Sequence, residues 1–315
     1  MTRSDLVITA ATMMPPVAKA ALLAWAKFAV LVSRPSWAEH WIMESISESL
    51  GYRIPVWTRL GNGLKVRVAL NDMIGRRICE EGYYEQDTVR LVEALVGQAM
   101  VVLDVGAHIG QYTLVTSRLV GPGGQVHSFE PDPETFAWLR SNVQVNRLVN
   151  VTVNPVAVAS DAEPRRLYFS RIRDTGSNSL VEQKSLYRTG RWRSVTCTSL
   201  DAYAASKGLS RIDFIKADVE GAELAMLQGA RGILGGERPP ILLMEFEEER
   251  QRAFGSSCER LAEELRSYGF ALWKIGDRLE PYEPARDDPP SLNILAVHPS
   301  RRAMISRIPG ALLDA

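Results

Sequence analysis

A glycine-containing turn follows an apolar run in the stretch VVLDVGAHIGQYT, residues 101–113. Asp104, Gly106 and Gly110 give it the spacing D-x-G-x-x-x-G, which lacks the close glycine pair that brings a backbone against a pyrophosphate in G-x-G-x-x-G loops. Glu130 ends the next apolar run, QVHSFE, where an acidic side chain can accept hydrogen bonds from both ribose hydroxyls. These residues predict a nucleoside cofactor without a pyrophosphate at the loop. The alternative is that Asp104 and Glu130 only cap the helices that follow them.

The elements that must position these residues are apolar runs alternating with helical patterns. The runs are MVVLDV, QVHSFE, NVTVNPVAV, DFIKAD, ILLMEFE, FALWKI and SLNILAVH. Helical patterns between them include GQYTLVTSRLV, PETFAWLRSNVQVN, AELAMLQGARGIL and SCERLAEELRSYG. This alternation predicts an α/β fold with a doubly wound, mostly parallel sheet. No helical pattern joins the last two runs, so they can form an antiparallel pair at one edge. Upstream, VWTRLGNGLKVRVAL predicts a hairpin and EQDTVRLVEALVGQ a helix.

The overall composition excludes several functional classes. The 315 residues contain 37 Lys and Arg and 37 Asp and Glu, so no net charge favours a nucleic acid as partner. Cys79, Cys197 and Cys258 form no CxxC pair, which argues against a zinc site or a disulfide framework and fits a reducing compartment. The four histidines are scattered and form no HExxH pattern. We therefore expect a cytoplasmic protein without a structural metal.

Four segments together resemble the FkbM family of S-adenosylmethionine-dependent methyltransferases: VVLDVGAHIGQYT, SFEPDPETFAWLRSNVQVN, TSLDAY and IDFIKADVEGAELAMLQGA. KADVEGAE is the most specific of these elements, and EGYYEQDT is similar to the family's G-x-Y-E lead-in. The resemblance implies a class I methyltransferase (Rossmann-like) fold of seven strands, the seventh inserted antiparallel. It also implies transfer of a methyl group to a hydroxyl of a sugar, a glycan or a polyketide-type natural product. His108 departs from the family, which more commonly has asparagine there.

The resemblance implies which residues hold S-adenosylmethionine. Glu130 would bind the ribose, and the loop glycines would approach the methionine part. Ser160 and Asp161, in AVASDAEP, would lie where this fold meets the adenine amino group, although a polar turn is an equal alternative. The full set of implied cofactor-binding residues is Asp104, Gly106, His108, Gly110, Glu130, Ser160, Asp161 and Asp218.

The candidate catalytic residues are Asp218, Glu220 and His108. Methyl transfer to an alcohol removes a proton as the oxygen attacks, so a carboxylate or histidine is expected near the sulfonium. Asp218 could be that base, a ligand of a divalent ion, or an anchor for the cofactor's ammonium group; two carboxylates permit a metal without requiring one. Glu245 is a second candidate on the acceptor side. Glu223 and His127 are expected to be structural.

A basic segment lies between the third and fourth runs. It contains Arg165, Arg166, Arg171, Arg173, Lys184, Arg188, Arg191 and Arg193. It also includes the polar stretch DTGSNSL, which suits hydroxyl groups. The segment is either a solvated loop or a recognition element for an anionic acceptor such as a phosphorylated or nucleotide-linked sugar.

We expect a helical extension at residues 1–50, a hairpin and helix at 51–98, the methyltransferase domain at 99–298 and a tail at 299–315. In the extension, PPVAKAALLAWAKFAVLVS is too interrupted by lysine to span a bilayer, so it is expected to cover the domain or a homodimer partner, or to touch a membrane surface. The competing functions are a nicotinamide-dependent oxidoreductase on a similar sheet and an inactive methyltransferase-like binding module.

Overall fold

The computed structural model describes residues 55–70, 72–170, 175–181, 188–276, 278–284 and 292–308. The extension predicted for residues 1–50 lies outside the described residues. Two compact units are present: Met1–Tyr84 with Ser170–Ser177, and Glu85–Phe169 with Asn178–Ala315. In the described part of the chain, no helix has the length and apolar character needed to cross a membrane.

The strands, in chain order, are β1 Pro55–Arg59, β2 Lys65–Ala69, β3 Val101–Val105, β4 Gln125–Phe129, β5 Val151–Asn154, β6 Ala157–Val158, β7 Arg165–Ser170, β8 Arg188–Val195, β9 Cys197–Thr198, β10 Phe214–Ala217, β11 Ile241–Phe246, β12 Ala271–Ile275, β13 Leu279–Pro281 and β14 Leu292–Val297. The helices are α1 Met73–Glu81, α2 Gln86–Leu95, α3 Gln111–Val120, α4 Pro133–Val145, α5 Leu200–Lys207, α6 Glu223–Gln228, α7 Arg231–Leu234, α8 Glu248–Ala253 and α9 Cys258–Ser267.

The smaller unit contains the predicted hairpin, which is confirmed. Strands β1 and β2 pair antiparallel, and the turn between them is closed by a hydrogen bond from the Leu60 amide to the Leu64 carbonyl at 2.9 Å. Helix α1 follows, although no pattern predicted it. Its first turn is capped by Asp72, whose side chain accepts from the Ile74 amide, and it ends at Gly82 in the left-handed conformation.

The larger unit is built on a sheet of strand order β13-β12-β14-β11-β10-β3-β4-β5. Strands β3, β4, β5, β10 and β11 run parallel, and β14 is inserted antiparallel between β11 and β12. This is the seven-strand arrangement that the resemblance implies, and the antiparallel pairing of the last two predicted strands is confirmed. Strand β13 extends the sheet at its edge, inside a segment for which no element was predicted.

The centre of this sheet is buried on both faces. Every residue of β3 and β10 is buried, and hydrophobic side chains of β11 join them in one core. Strands covered on both faces by helices are expected to read as continuous apolar runs, and each fully buried Val, Leu or Phe contributes about 1.5–3 kcal/mol. Helix α2 buries Val89, Leu91, Val92 and Leu95, the positions that its spacing predicted. Because these strands run parallel, their carboxyl ends lie together at one end of the sheet.

Three predicted elements differ from the structure. The run NVTVNPVAV is broken at Pro155, which has no amide hydrogen for a ladder: β5 joins the main sheet, whereas β6 pairs with β9. The helix predicted over AELAMLQGARGIL is two short helices, α6 and α7. The chain turns at Gly229, where a Cβ would overlap the carbonyl oxygen of Ala159. The basic segment contains strands β7 and β8, which pair as a two-stranded ribbon.

Candidate functional site

The loop after β3 depends on its two glycines. Gly106 has a φ of 78°, and a Cβ there would overlap the carbonyl oxygen of Asp218, which follows the neighbouring strand β10. Gly110 has a φ of 95° and precedes α3, and a Cβ there would press against Leu139 of α4. Only glycine allows both conformations together with this close packing. The packing alone therefore requires both residues, and their contact with a cofactor stays a prediction.

Glu130 joins this loop to the end of β4. Its Oε2 accepts from the His108 amide at 2.9 Å, and its Oε1 accepts from the Asp132 amide at 2.8 Å. His108 has a φ of 49°, a left-handed conformation in which Asn, Asp and His are enriched among non-glycine residues. Histidine can thus replace asparagine here for a conformational reason. The predicted contact of Glu130 with a ribose stays a prediction.

Asp104 is 2% exposed and contacts groups inside the protein. The Thr113 hydroxyl of α3 donates to Asp104 Oδ2 at 2.6 Å. Burial raises the pKa of Asp104 to about 6, against the opposing effects of the Thr113 hydrogen bond and the charge of Lys216. The geometry gives Asp104 the task of fixing the first turn of α3. A direct contact with a cofactor stays a prediction.

Ser160 and Asp161 form a polar turn after β6. Asp161 Oδ2 accepts from the Ser160 hydroxyl and from the Arg165 guanidinium, both at 2.9 Å, while Oδ1 accepts from the Glu163 amide at 3.0 Å. The hydrogen bond from Arg165, with those from Glu163 and Ser160, lowers the pKa of Asp161 to about 2. The turn is thus held by its own contacts, and its predicted approach to adenine stays a prediction.

Asp218 lies just beyond the end of β10. Its Oδ2 is 3.5 Å from Lys216 Nζ, and its Oδ1 is buried with no hydrogen-bond partner among the described residues. Burial favours the neutral acid, but the Lys216 ammonium, a hydrogen bond with Glu245 and the charge of Arg250 together lower the pKa of Asp218. The carboxylate is therefore ionised at neutral pH and has one oxygen available for a cationic or hydrogen-bond-donating ligand.

Glu220 is held by residues from two other parts of the larger unit. Its backbone has a φ of 58°, and its carboxylate pairs with Arg250 of α8. Ser179 Oγ donates to the Glu220 carbonyl at 2.7 Å. Ser179 belongs to the stretch DTGSNSL, and its amide and carbonyl are hydrogen-bonded to the backbone of Tyr168 in β7. The basic segment therefore directly contacts the loop that carries Asp218.

The carboxylates of Asp218, Glu220 and Glu245 come together. Their ligand oxygens lie within 4.8 Å of one another, which suits a divalent cation. Two cations already neighbour the same group, because Lys216 is 3.5 Å from Asp218 and Arg250 pairs with Glu220. The donor set fits a metal ion, and the lysine and arginine would compete with it for the same oxygens.

Sequence reasoning missed a buried group next to Asp218. Lys216 of β10 is 2% exposed, and its Nζ lies 5.3 Å from the centre of the Tyr112 ring of α3. The Tyr112 hydroxyl donates to Glu85 Oε2 at 2.9 Å. Burial alone would lower the pKa of Lys216, but the carboxylates of Asp218, Glu85, Glu245 and Asp104 raise it. The motifs EGYYEQDT and KADVEGAE contain Glu85 and Lys216, but nothing in the sequence shows that the two residues act on each other.

The two residues expected to be structural have structural contacts. Glu223, at the start of α6, is 1% exposed, and its carboxylate accepts from the Val219 amide at 3.1 Å and from the Gln251 side chain. His127 lies inside β4, with Nδ1 2.8 Å from the Tyr203 hydroxyl. Glu223 thus lies in the first turn of a helix and His127 is packed inside the protein, as expected.

The chain matches known proteins over its central part. The model of the methyltransferase FkbM domain matches residues 104–272. The 31-O-demethyl-FK506 methyltransferase FkbM of Streptomyces tacrolimicus is 31% identical over 154 residues, covering 41% of this chain and 58% of that protein. The hexuronic acid methyltransferase AglP of Haloferax volcanii is 28% identical over 152 residues, covering 48% of this chain and 58% of that protein. The chain thus spans 58% of the length of each relative.

Solved structures overlap this chain more loosely. A methyltransferase FkbM from Methylobacillus flagellatus KT is 17% identical with a TM-score of 0.42, covering 65% of this chain and 48% of the other. Fibrillarin of Aeropyrum pernix, solved with S-adenosyl-L-methionine, is 14% identical with a TM-score of 0.39, covering 76% of this chain and 93% of the other. The fold assignment rests on the strand order described above.

Proposed function

The chain belongs to the FkbM methyltransferase family, and from that premise we propose that it transfers a methyl group from S-adenosylmethionine to a hydroxyl oxygen of a small-molecule or glycan acceptor. One observation carries this proposal: the D-x-G-x-x-x-G loop, Glu130 and Asp218 lie together at the carboxyl end of the parallel strands. When bound there, S-adenosylmethionine would supply an electrophilic methyl group on its sulfonium.

The residues present fit such a cofactor. Glu130 follows β4 and accepts from the His108 and Asp132 amides, and a carboxylate at this position suits two ribose hydroxyls. Asp218 Oδ1 is a buried acceptor without a partner in the described structure, and a buried unpaired acceptor is costly unless a ligand satisfies it. An ammonium group would satisfy it and would be attracted by the ionised carboxylate.

Asp218 is better suited to anchoring than to general base catalysis. A base works best when its pKa is near the operating pH, and the pKa of Asp218 is lowered instead. An ionised carboxylate fixed by Lys216 can orient the cofactor's ammonium or the acceptor hydroxyl. Alignment of acceptor and methyl group would then supply more of the acceleration than a base does. We propose Glu245, within the same carboxylate group, as the residue nearest to the acceptor hydroxyl.

The acceptor that the site favours is an anionic sugar or a sugar-like natural product. On the β7–β8 ribbon, the Arg166 guanidinium lies 4.2 Å from the centre of the Trp192 ring, which is 48% exposed. Arginine beside an exposed tryptophan suits a sugar ring that carries a carboxylate or phosphate. The ribbon is connected to Glu220 through Ser179, so it lies beside the loop that would face the acceptor. One relative is named for hexuronic acid, which is an anionic sugar, and another for 31-O-demethyl-FK506.

Each of two alternative functions predicts a different result in a binding or activity assay. A nicotinamide-dependent oxidoreductase would use the same sheet, and an inactive binding module would keep the fold without turnover. Titration calorimetry with S-adenosylhomocysteine and with NAD separates the first: we expect S-adenosylhomocysteine to bind, and binding of NAD alone would overturn the proposal. An inactive binding module would release no S-adenosylhomocysteine from S-adenosylmethionine with any acceptor, and a panel of uronic acids and sugar phosphates tests this.

Asp218→Asn tests the reactive end of the site. The change removes the charge while keeping the shape, and the activity of the folded variant should fall about 100-fold, the cost of a misplaced reacting group. Because the change also leaves the buried Lys216 ammonium without this charged partner, thermal unfolding is measured beside activity. If Asp218 anchors the ammonium, the affinity for S-adenosylhomocysteine falls as well. If EDTA abolishes activity and Mg²⁺ restores it, the three carboxylates act as metal ligands instead. Full activity of the variant would exclude a chemical role for Asp218.

A further inference from the structure

Lys216 is a buried cation that the proposed reaction does not use directly. It lies on β10 beside Asp104 of β3, and it is 2% exposed. A buried ammonium is costly unless it is paired, and removal of a partner from such a pair is strongly destabilising. Its ion-pair partner is Asp218 at 3.5 Å, and the face of the Tyr112 ring lies 5.3 Å away. The position of the Asp218 carboxylate therefore depends on what holds Lys216.

A second carboxylate, that of Glu85, acts on Lys216 and is linked to it through Tyr112. Tyr112 donates its hydroxyl to Glu85 Oε2 at 2.9 Å, so Glu85, Tyr112, Lys216 and Asp218 form one continuous chain of polar contacts. The remaining charged groups that act on Lys216 are Asp104 of β3 and Glu245 of β11, and Arg250 of α8 acts on Asp218. Every one of these residues lies in the larger unit.

The backbone at Glu85 points to a function beyond helix capping. Glu85 precedes α2 with a φ of 52°, and its side chain makes no capping hydrogen bond to the helix. Non-glycine residues in this left-handed region are strained and are concentrated at functional sites. His108 and Glu220 share the conformation, and both flank the loops of the candidate site. Of the five non-glycine residues with positive φ in the described part of the chain, these three lie on the segments around Lys216 and Asp218, and Ala99 and Arg147 lie elsewhere.

We propose that Glu85 is a positioning residue for the methyl transfer, which acts through Tyr112 and Lys216 to fix the Asp218 carboxylate. This inference rests on the proposed function for its kinetic consequence, while the contact chain itself can be tested without any activity. In this proposal Glu85 acts only through these contacts and not on the reacting atoms. Its carboxylate orients the Tyr112 hydroxyl and adds negative charge near Lys216.

The contact chain is tested by NMR of the lysine side chains. The protein contains seven lysines, and a buried Nζ exchanges slowly enough to be observed in protein carrying ¹⁵N-lysine. Lys216→Met assigns the signal. We expect Glu85→Gln and Tyr112→Phe to shift the Lys216 signal and speed its solvent exchange, whereas Asp87→Asn leaves it unchanged. Asp87 is the matched control, because it is an exposed carboxylate in the first turn of the same helix. An unshifted Lys216 signal in both variants overturns the proposal.

The positioning role is tested by a double-mutant cycle with Asp218→Asn. We expect Glu85→Gln to lower the same constant that Asp218→Asn lowers, kcat or the affinity for S-adenosylhomocysteine, by about tenfold. In the Asp218→Asn background the same change should have less than about a twofold effect, because a residue that acts through Asp218 loses its effect when Asp218 is changed. Thermal unfolding of each variant checks that the fold is retained.

The outcomes separate this inference from the proposed function. Equal effects of Glu85→Gln in both backgrounds would overturn the positioning role and assign Glu85 a structural role. If the unchanged protein neither binds S-adenosylhomocysteine nor methylates any acceptor, the proposed function fails, and the kinetic role of Glu85 fails with it. The Lys216 signal would still decide whether the chain of contacts from Glu85 exists.

Discussion

Glu130 has two tasks that substitution can separate. Its carboxylate accepts hydrogen bonds from the backbone amides of His108 and Asp132, and it is proposed to accept hydrogen bonds from the ribose hydroxyls as well. Glu130→Ala should lose about 1.5–3 kcal/mol of affinity for S-adenosylhomocysteine, the range for hydrogen bonds to a charged group. Glu130→Gln keeps one carbonyl oxygen and should lose less. Titration calorimetry measures both, and equal affinity of all three proteins would remove Glu130 from the cofactor site.

Gly106 is required by the close approach of two loops. Gly106→Ala should cost about 1–2 kcal/mol for its positive φ and a further 1–3 kcal/mol for the overlap with the Asp218 carbonyl. Gly208→Ala is the matched control, since Gly208 has a φ of 63° and no atom within 4 Å of the added Cβ. Urea unfolding should show a clearly larger loss for Gly106→Ala. Equal losses would show that the overlap is relieved without cost.

At the scale of elements, Glu223 gives α6 a pH-dependent stability. Burial raises its pKa from 4.5 to about 7. Because the folded state holds this proton more tightly than the unfolded state, the contribution is full below pH about 4.5 and is lost as the pH rises through about 7, a change of about 3 kcal/mol. Glu223→Gln should abolish this loss of stability with rising pH, because the introduced amide does not titrate. The Gln251 amide can turn so that its oxygen accepts a hydrogen bond from the introduced amide.

The measurement is the free energy of unfolding in urea at several pH values between 4.5 and 7.5. The difference between the unchanged protein and Glu223→Gln should decrease steadily with rising pH. Glu134→Gln serves as the control, because Glu134 is an exposed residue in the first turn of α4. Parallel curves for the unchanged protein and Glu223→Gln would mean that Glu223 titrates alike in the folded and unfolded states.

The sequence predicted those elements whose buried residues form a pattern over a few neighbouring positions. Strands β3, β10 and β11 are covered on both faces, so they read as continuous apolar runs, and α2 shows the spacing of a helix buried on one face. The ribbon β7–β8 was missed because its strands are rich in arginine and are held by pairing with each other. Short helices such as α8 have too few turns for a period to be visible.

The residues of the candidate site also differ in whether local sequence indicates them. Asp104, Gly106, Glu130 and Asp218 could be found because glycines and carboxylates directly after apolar runs stand out in a sequence. Lys216 could not be interpreted in this way, because the carboxylates of Glu85, Glu245 and Asp104 that balance its charge come from distant parts of the chain. A lysine inside an apolar run has meaning only when the fold has brought its partners together.

At the scale of the whole molecule, the proposed cofactor residues all lie between Asp104 and Asp218, in the larger unit. Deleting residues 1–33 should therefore leave the affinity for S-adenosylhomocysteine within about twofold of the full chain. The deleted stretch contains VAKAALLAWAKFAVLVS, whose apolar side chains are proposed to cover the domain or a partner copy, so the shortened chain should be less soluble or change its oligomeric state. Calorimetry and light scattering measure these two effects separately. If the shortened chain is instead soluble and monomeric, and only the full chain sediments with anionic vesicles, the segment binds membrane surfaces and a lipid-linked glycan becomes the leading acceptor.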